Sequence, residues 1–294
     1  MTVKLTRNIK RYLRGEDVRA VKDRLVALGY LERATHDRFG NDSYRAVKNF
    51  QHDRGLSADG IVGPLTWAAL TEGMTDGIRQ NESLVTVTLP EHIGPAAAES
   101  IAAALAAVSE RRRDICLLAL TYAADAQDPG RPRGFYIRGA NLFDDDLTLH
   151  TMTEQRLAAY FKKTAYAPYY DGGRREMMER FAAESGYSLP GADCSGFIVG
   201  LWRKTGLVSP GFDATADALF TRYCTPADTP TAGDLVWKKG HIGLFVGGGF
   251  VCEAAGGAYG IQLTERKKRR LYNFVTGKTQ KLAGWTACGR PKYL

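Results

Sequence analysis

Near the start of the chain, Val18, Val21, Leu25, Leu28 and Leu31 recur at near-helical spacing, and Gly29 ends the run. Two similar phrases follow. One runs from Phe39-Gly40-Asn41-Asp42-Ser43 to Val47, the other from Val62-Gly63-Pro64-Leu65-Thr66-Trp67 to Leu70. Asp42 and Ser43 suit a helix cap and Pro64 a first helical turn, with the helix between them ending at Gly55. Residues 11–72 thus predict three short helices around a small core. Glycines and prolines then punctuate residues 73–95, where Val85–Leu89 alternates like a lone strand. An alanine-rich helical stretch runs from Ala96 to about Gln127, with a second helix opening at Ser109-Glu110. Asp128-Pro129-Gly130 breaks it. Further on, Phe197, Ile198, Leu201 and Trp202 recur at helical spacing behind Cys194. Finally, Gly233–Trp237, His241–Val246 and Phe250–Ala254 predict three strands joined by turns at Lys238-Lys239-Gly240 and Gly247-Gly248-Gly249. The domain reading is 1–75 for the helical module, 76–95 for a linker and 96–294 for an α+β domain with a helical extension.

Two of these elements begin with reactive side chains. Cys194 opens a helix, with Asp193 or Ser195 available as cap, and the unpaired amides and dipole of a helix start favour a thiolate. His241 opens a strand, beside two glycines that leave room on the backbone. The chain has five cysteines and five histidines, so few other pairings exist. Cys116, Cys224, Cys252 and Cys288 read as packing residues, and His36, His52, His92 and His150 as surface or packing residues. Glu253 depends on register. If all three glycines form the loop, Val246 pairs with Phe250, and Gly243 with Glu253, which then shares a face with His241. A two-residue loop turns Glu253 to the opposite face. Only the first arrangement lets Glu253 orient the imidazole.

The phrases ADCSGF, GDLVW and GHIGLFVGGGFVCEA resemble the NlpC-type cell-wall peptidases, a papain-like group of cysteine hydrolases. The likeness covers roughly residues 160–260. It implies a papain-like fold with an antiparallel sheet and no cofactor. It implies a nucleophile at Cys194, a general base at His241 and an orienting residue at Glu253, where the family more often has His, Asn or Gln. The bond it implies joins γ-D-glutamate to a diamino acid in peptidoglycan stem peptides. The alternatives are the muramoyl–L-alanine amide on the same scaffold, or a wall-binding protein without catalysis. Ala167-Pro168-Tyr169-Tyr170-Asp171-Gly172-Gly173 resembles the family's tyrosine stretch, which places an oxyanion donor at Tyr169. Asp193 and Ser195 match positions lining the substrate site, although capping alone would also explain both. Residues 11–72 resemble the three-helix peptidoglycan-binding module of many wall hydrolases, with FQHDRGLSADGIVGPLTW carrying most of the likeness.

Composition narrows the picture. A hydrophobic content of 44% fits a globular chain. The formal charge is +8, densest at Arg266–Arg270, and it suits the anionic polymers of a cell wall. No nucleic-acid motif accompanies this charge. Five irregularly spaced cysteines suggest no disulfide framework, and no cluster has metal-ligand spacing. Asp144-Asp145-Asp146 reads as a solvated loop. With neither an apolar leader nor a membrane-length run, the expectation is a monomeric wall hydrolase, either stored in the cytoplasm as a phage endolysin is or a mature chain without its leader.

Overall fold

A computed structural model describes residues 7–32, 34, 36–54, 56–71 and 86–294. The chain divides into two units, Met1–Ser83 and Leu84–Lys292. In the first, α1 (Glu16–Ala27), α2 (Asn41–Asp53) and α3 (Pro64–Thr71) bring their apolar faces together. Val18, Val21, Leu25, Phe39, Val47, Phe50, Val62 and Leu70 are fully buried there. Gly29 lies in the left-handed region just past α1 (φ 79°), as a helix-ending glycine does. The start of α2 differs from expectation. Gly40 is its N-cap, no side chain caps it, and Ser43 is buried in the fold instead. Gly55 and residues 76–85 of the expected linker lie outside the described residues.

The second unit carries the remaining helices and the sheet. Its helices are α4 (Pro95–Ala106), α5 (Glu110–Tyr122), α6 (Glu154–Phe161), α7 (Ala167–Tyr170), α8 (Arg174–Glu184), α9 (Cys194–Lys204) and α10 (Ala216–Tyr223). Its strands are β1 (Ala124–Asp125), β2 (Phe135–Tyr136), β3 (Gly191–Ala192), β4 (Cys224–Ala227), β5 (Leu235–Lys238), β6 (His241–Gly247), β7 (Phe250–Ala254), β8 (Ile261–Glu265), β9 (Arg270–Asn273), β10 (Lys278–Lys281) and β11 (Ala287–Pro291). A seven-stranded sheet runs β1-β8-β7-β6-β5-β11-β4. All its pairings are antiparallel except that of β1 with β8. This is the expected α+β architecture, with helices packed on an antiparallel sheet.

Two local expectations do not hold. Thr86–Leu89 is not a strand, and Val85 lies outside the described residues. Alternation makes a strand only when a neighbouring strand takes up its backbone groups, and none does here. The helical stretch also stops at Tyr122, because Ala124 and Asp125 pair with Gln262 and Leu263. The extension is nonetheless tied into the sheet. Arg112 of α5 donates to Asp234 at 2.8 Å and to the Ala232 carbonyl at 2.9 Å, just before β5. Both side chains are nearly inaccessible, and removing Asp234 would leave the Arg112 guanidinium without its counterion.

Helix α9 lies against the sheet with Phe197, Ile198, Leu201 and Trp202 fully buried. Glycine lets its first turns approach the backbone of residues 140–142. A Cβ on Gly196 would stand 2.0 Å from the Ala140 carbonyl oxygen, and one on Gly200 would stand 2.7 Å from Leu142 Cβ.

Candidate active site

The β3–α9 junction sets the position of the thiol. Asp193 is the N-cap of α9, and its Oδ1 accepts the Gly196 amide at 2.8 Å. The same oxygen accepts the Ser195 hydroxyl at 2.9 Å, while Oδ2 accepts the Gly139 amide at 2.9 Å. The Asp193 carboxylate therefore locks the helix start to the Gly139 turn, and Ser195 is bonded back onto it. Cys194 then opens the first turn. Its thiol points at the Gly240 carbonyl, 3.9 Å away, and the amides of Ile242 and Ser195 point at its sulfur. The sulfur thus lies against residues on either side of His241. The helix start was expected to lower the thiol pKa. Instead, burial and then the Asp193 carboxylate push it up to about 11, outweighing the two amides and Arg138. A cysteine this enclosed becomes a thiolate only by handing its proton to a partner.

His241 opens β6 after the Lys238–Gly240 turn. Asp217 of α10 fixes that turn, its Oδ1 accepting the Gly240 amide and Trp237 Nε1, each at 2.8 Å. The β6–β7 hairpin combines features of both registers considered above. Leu244 pairs with Cys252 and Phe245 with Val251, but Gly247 pairs with Phe250. The expected Val246–Phe250 pair is absent. A two-glycine turn follows a bulge at Val246, and the bulge restores the phase that a short turn alone would lose. Glu253 accordingly meets the imidazole, its Oε2 2.7 Å from His241 Nε2. Cys252 is buried on the other face.

Glu253 is fully buried and has three partners. Besides His241, Thr264 Oγ1 donates to Oε1 at 3.1 Å, and Arg269 donates to Oε1 at 3.1 Å and Oε2 at 2.7 Å. Burial pushes this carboxyl up, but His241 and Arg269 outweigh it and hold the pKa at about 2. The imidazole is also held by its face, since Trp285 stacks on it at 5.2 Å with an interplanar angle of 10°. The indole N–H of Trp285 is buried and without a hydrogen-bond partner among the described residues, so stacking is what seats the ring.

The cleft beside the thiol has a volume of about 560 Å³, and Arg138, Tyr166, Asp193, Cys194, Ser195 and Asp217 are among its lining residues. Tyr136 is not among its lining residues, and neither is Tyr169. Its ring stacks on Tyr136 at 6.0 Å, with the Arg138 guanidinium 5.4 Å from its centre. Tyr136, on β2 beside β3, is the tyrosine whose phenol feels Cys194 and Asp193. Burial first, and then those two charges, push its pKa up, so it remains a hydrogen-bond donor. The sequence reading missed Tyr136, Arg138, Asp217, Arg269 and Trp285. The phrase Phe135-Tyr136-Ile137-Arg138-Gly139, a short apolar run closed by glycine, was the available signal for the first two.

Other charged groups are more committed than expected. Asp144 pairs with His150 and, at 2.8 Å, with Arg156, while Asp145 pairs with Arg203 at 3.1 Å. Arg269 belongs to the basic run but is 2% exposed. Among the described residues no three His, Cys, Asp or Glu side chains converge as a metal site, and no helix is long and apolar enough to cross a membrane.

Two family models match the chain. Residues 14–70 match the peptidoglycan binding domain and residues 167–279 the NlpC/P60 family. An uncharacterized protein in the bpoA1 3′ region of Kitasatospora aureofaciens is 41% identical over 64 residues, which is 21% of this chain and 54% of that protein. The chain thus spans about half the length of this curated relative. The crystal structure of Burkholderia AP3 phage endolysin is 26% identical, over 55% of this chain and 52% of that one, with a TM-score of 0.22.

Proposed function

We propose that this chain, which joins a peptidoglycan-binding domain to an NlpC/P60 domain, is a peptidoglycan hydrolase that cuts a stem-peptide amide with Cys194. One observation carries the reading: His241 donates Nε2–H to a buried carboxylate while the thiol lies across the start of its strand. That tautomer leaves Nδ1 free to take the thiol proton. The thiolate attacks the amide carbonyl, and the imidazolium protonates the leaving amine. The resulting acyl-enzyme is then hydrolysed by water that the neutral imidazole activates. The Cys194 amide, left without an intrahelical partner at the helix start, stabilises the oxyanion. Tyr136, whose phenol feels the charge at Cys194, is the tyrosine proposed to assist it. Asp193 and Ser195 hold the nucleophile's helix and also line the cleft that receives the peptide. The bond between γ-D-glutamate and the diamino acid is the proposed target. The N-terminal module holds the wall and raises the local substrate concentration.

Purified sacculi test this directly. Wild type should clear them in EDTA, and Cys194→Ala should bind without clearing. Mass spectrometry should show a new diamino-acid amino terminus. Free lactyl groups would assign the muramoyl–L-alanine amide instead. Binding without clearing by wild type would make the protein a wall binder.

A further inference from the structure

Arg269 stands apart from its neighbours. Lys267, Lys268 and Arg270 are exposed, whereas Arg269 turns inward. It does so from a left-handed backbone conformation, φ 40°, that costs a non-glycine residue about 1–3 kcal/mol. Its guanidinium makes two bonds to Glu253 and a third to the Ala283 carbonyl. It also lies 4.6 Å from the centre of the Trp285 ring, the same ring that stacks on His241. One side chain therefore underlies both supports of the imidazole, the acceptor at its edge and the indole at its face.

A lone carboxylate at position 253 would favour imidazolium by roughly one to three pH units over a neutral amide. The resemblance implies His, Asn or Gln at this place, none of which carries a negative charge. Here the carboxylate shares its Oε2 between His241 and Arg269, each at 2.7 Å. Other charges face the site as well. From α9 come Cys194 and Asp193, from the β2 side Arg138, and from α10 Asp217 beneath the preceding turn. None of these bonds to the imidazole edge that Glu253 occupies.

We propose that Arg269 is a positioning residue that cancels the charge of Glu253, so that the pair presents His241 with a hydrogen-bond acceptor of no net charge. The proposal rests on the reading of His241 as the base.

Three full-length variants test it: Glu253→Gln, Arg269→Met and the double substitution. Two readouts apply, the pH profile of kcat/KM on a soluble stem peptide and the NMR titration of His241. Arg269→Met should move the limb governed by imidazolium upward by about one unit, because the carboxylate is then uncompensated. Glu253→Gln should move it downward, because the buried guanidinium then repels the imidazolium. The double variant, with neither charge, should return the limb to its wild-type position and recover most of the activity. A purely structural counterion would lower the melting temperature in each single variant without opposite shifts. Unmoved limbs, or a double variant as impaired as the singles, would overturn the proposal. If a single variant does not fold, the double variant decides alone, and a displaced limb in it counts against charge cancellation. Failure of the catalytic reading looks different: wild type and Cys194→Ala would both leave the peptide intact, while the NMR titration would still report on the pair.

Discussion

Burial by itself would favour a protonated Glu253, and its partners reverse that preference. The consequence is a pH-dependent contribution to stability. The carboxyl pKa falls from an ordinary 4.5 to about 2 on folding. The stabilisation is therefore complete above about 4.5 and lost as pH falls through about 2. The urea midpoint of wild type should drop across that window by more than that of the Glu253→Gln/Arg269→Met variant, which lacks the group. Equal slopes would show that Glu253 is not the titrating site. Cys194, His241 and Glu253 were legible as residues because each sits at a position defined by a helix start or by strand alternation. Arg269 and Trp285 were not, since their partners lie far off in sequence and Arg269 is embedded in a run of like charges. Tyr136 was hidden by its short strand, whose two residues are too few to show a period.

The elements that carry the site are packed into the core, and short polar ties add to that packing. Asp217 is one such tie, reaching from α10 to both Trp237 and Gly240. Asp217→Ala should cost about 0.5–1.5 kcal/mol in thermal unfolding, as expected when a half-buried indole N–H and an exposed amide lose their shared acceptor. It should also lower kcat/KM by about 100-fold through misplacement of the turn before His241, with kcat affected more than KM. Asp217→Asn keeps an acceptor oxygen and should recover part of both. A variant with normal kcat would show that the strand holds His241 without help. Helix α9 was readable from its helical period, and the β5–β6–β7 meander from short apolar runs bounded by glycine turns. The strand expected at Val85–Leu89 and the real one at Ala124-Asp125 were misread for a shared reason. A strand exists by virtue of its partner, and β1 finds its partner in β8, remote in sequence.

At the scale of the whole molecule, each unit has its own buried core, and the division at Ser83–Leu84 falls within the stretch read as linker. Residues 86–294 alone should therefore cleave a soluble stem peptide about as well as the full chain. On intact sacculi they should act roughly 100-fold more slowly, because tethering no longer concentrates the substrate. Equal rates on sacculi would remove the N-terminal module from the mechanism. The exposed Lys267, Lys268 and Arg270 leave the wall-facing role of the basic run open to part of it only, since Arg269 is turned inward. The division was signalled by the glycines and prolines that punctuate residues 73–95 between two stretches of periodic pattern. The tie between α5 and the sheet was not, because the Arg112–Asp234 pair spans a separation that no local pattern encodes.

The bulge at Val246 has one more consequence, for how this hairpin tolerates change. In a regular ladder, loop length and the direction of every side chain beyond it share a parity, so one inserted or deleted residue would turn Glu253 from imidazole to core. A joint that absorbs an odd residue breaks that coupling. An odd residue at this joint thereby leaves the carboxylate at its address, while Gly247 and Gly248 hold the turn close against α4.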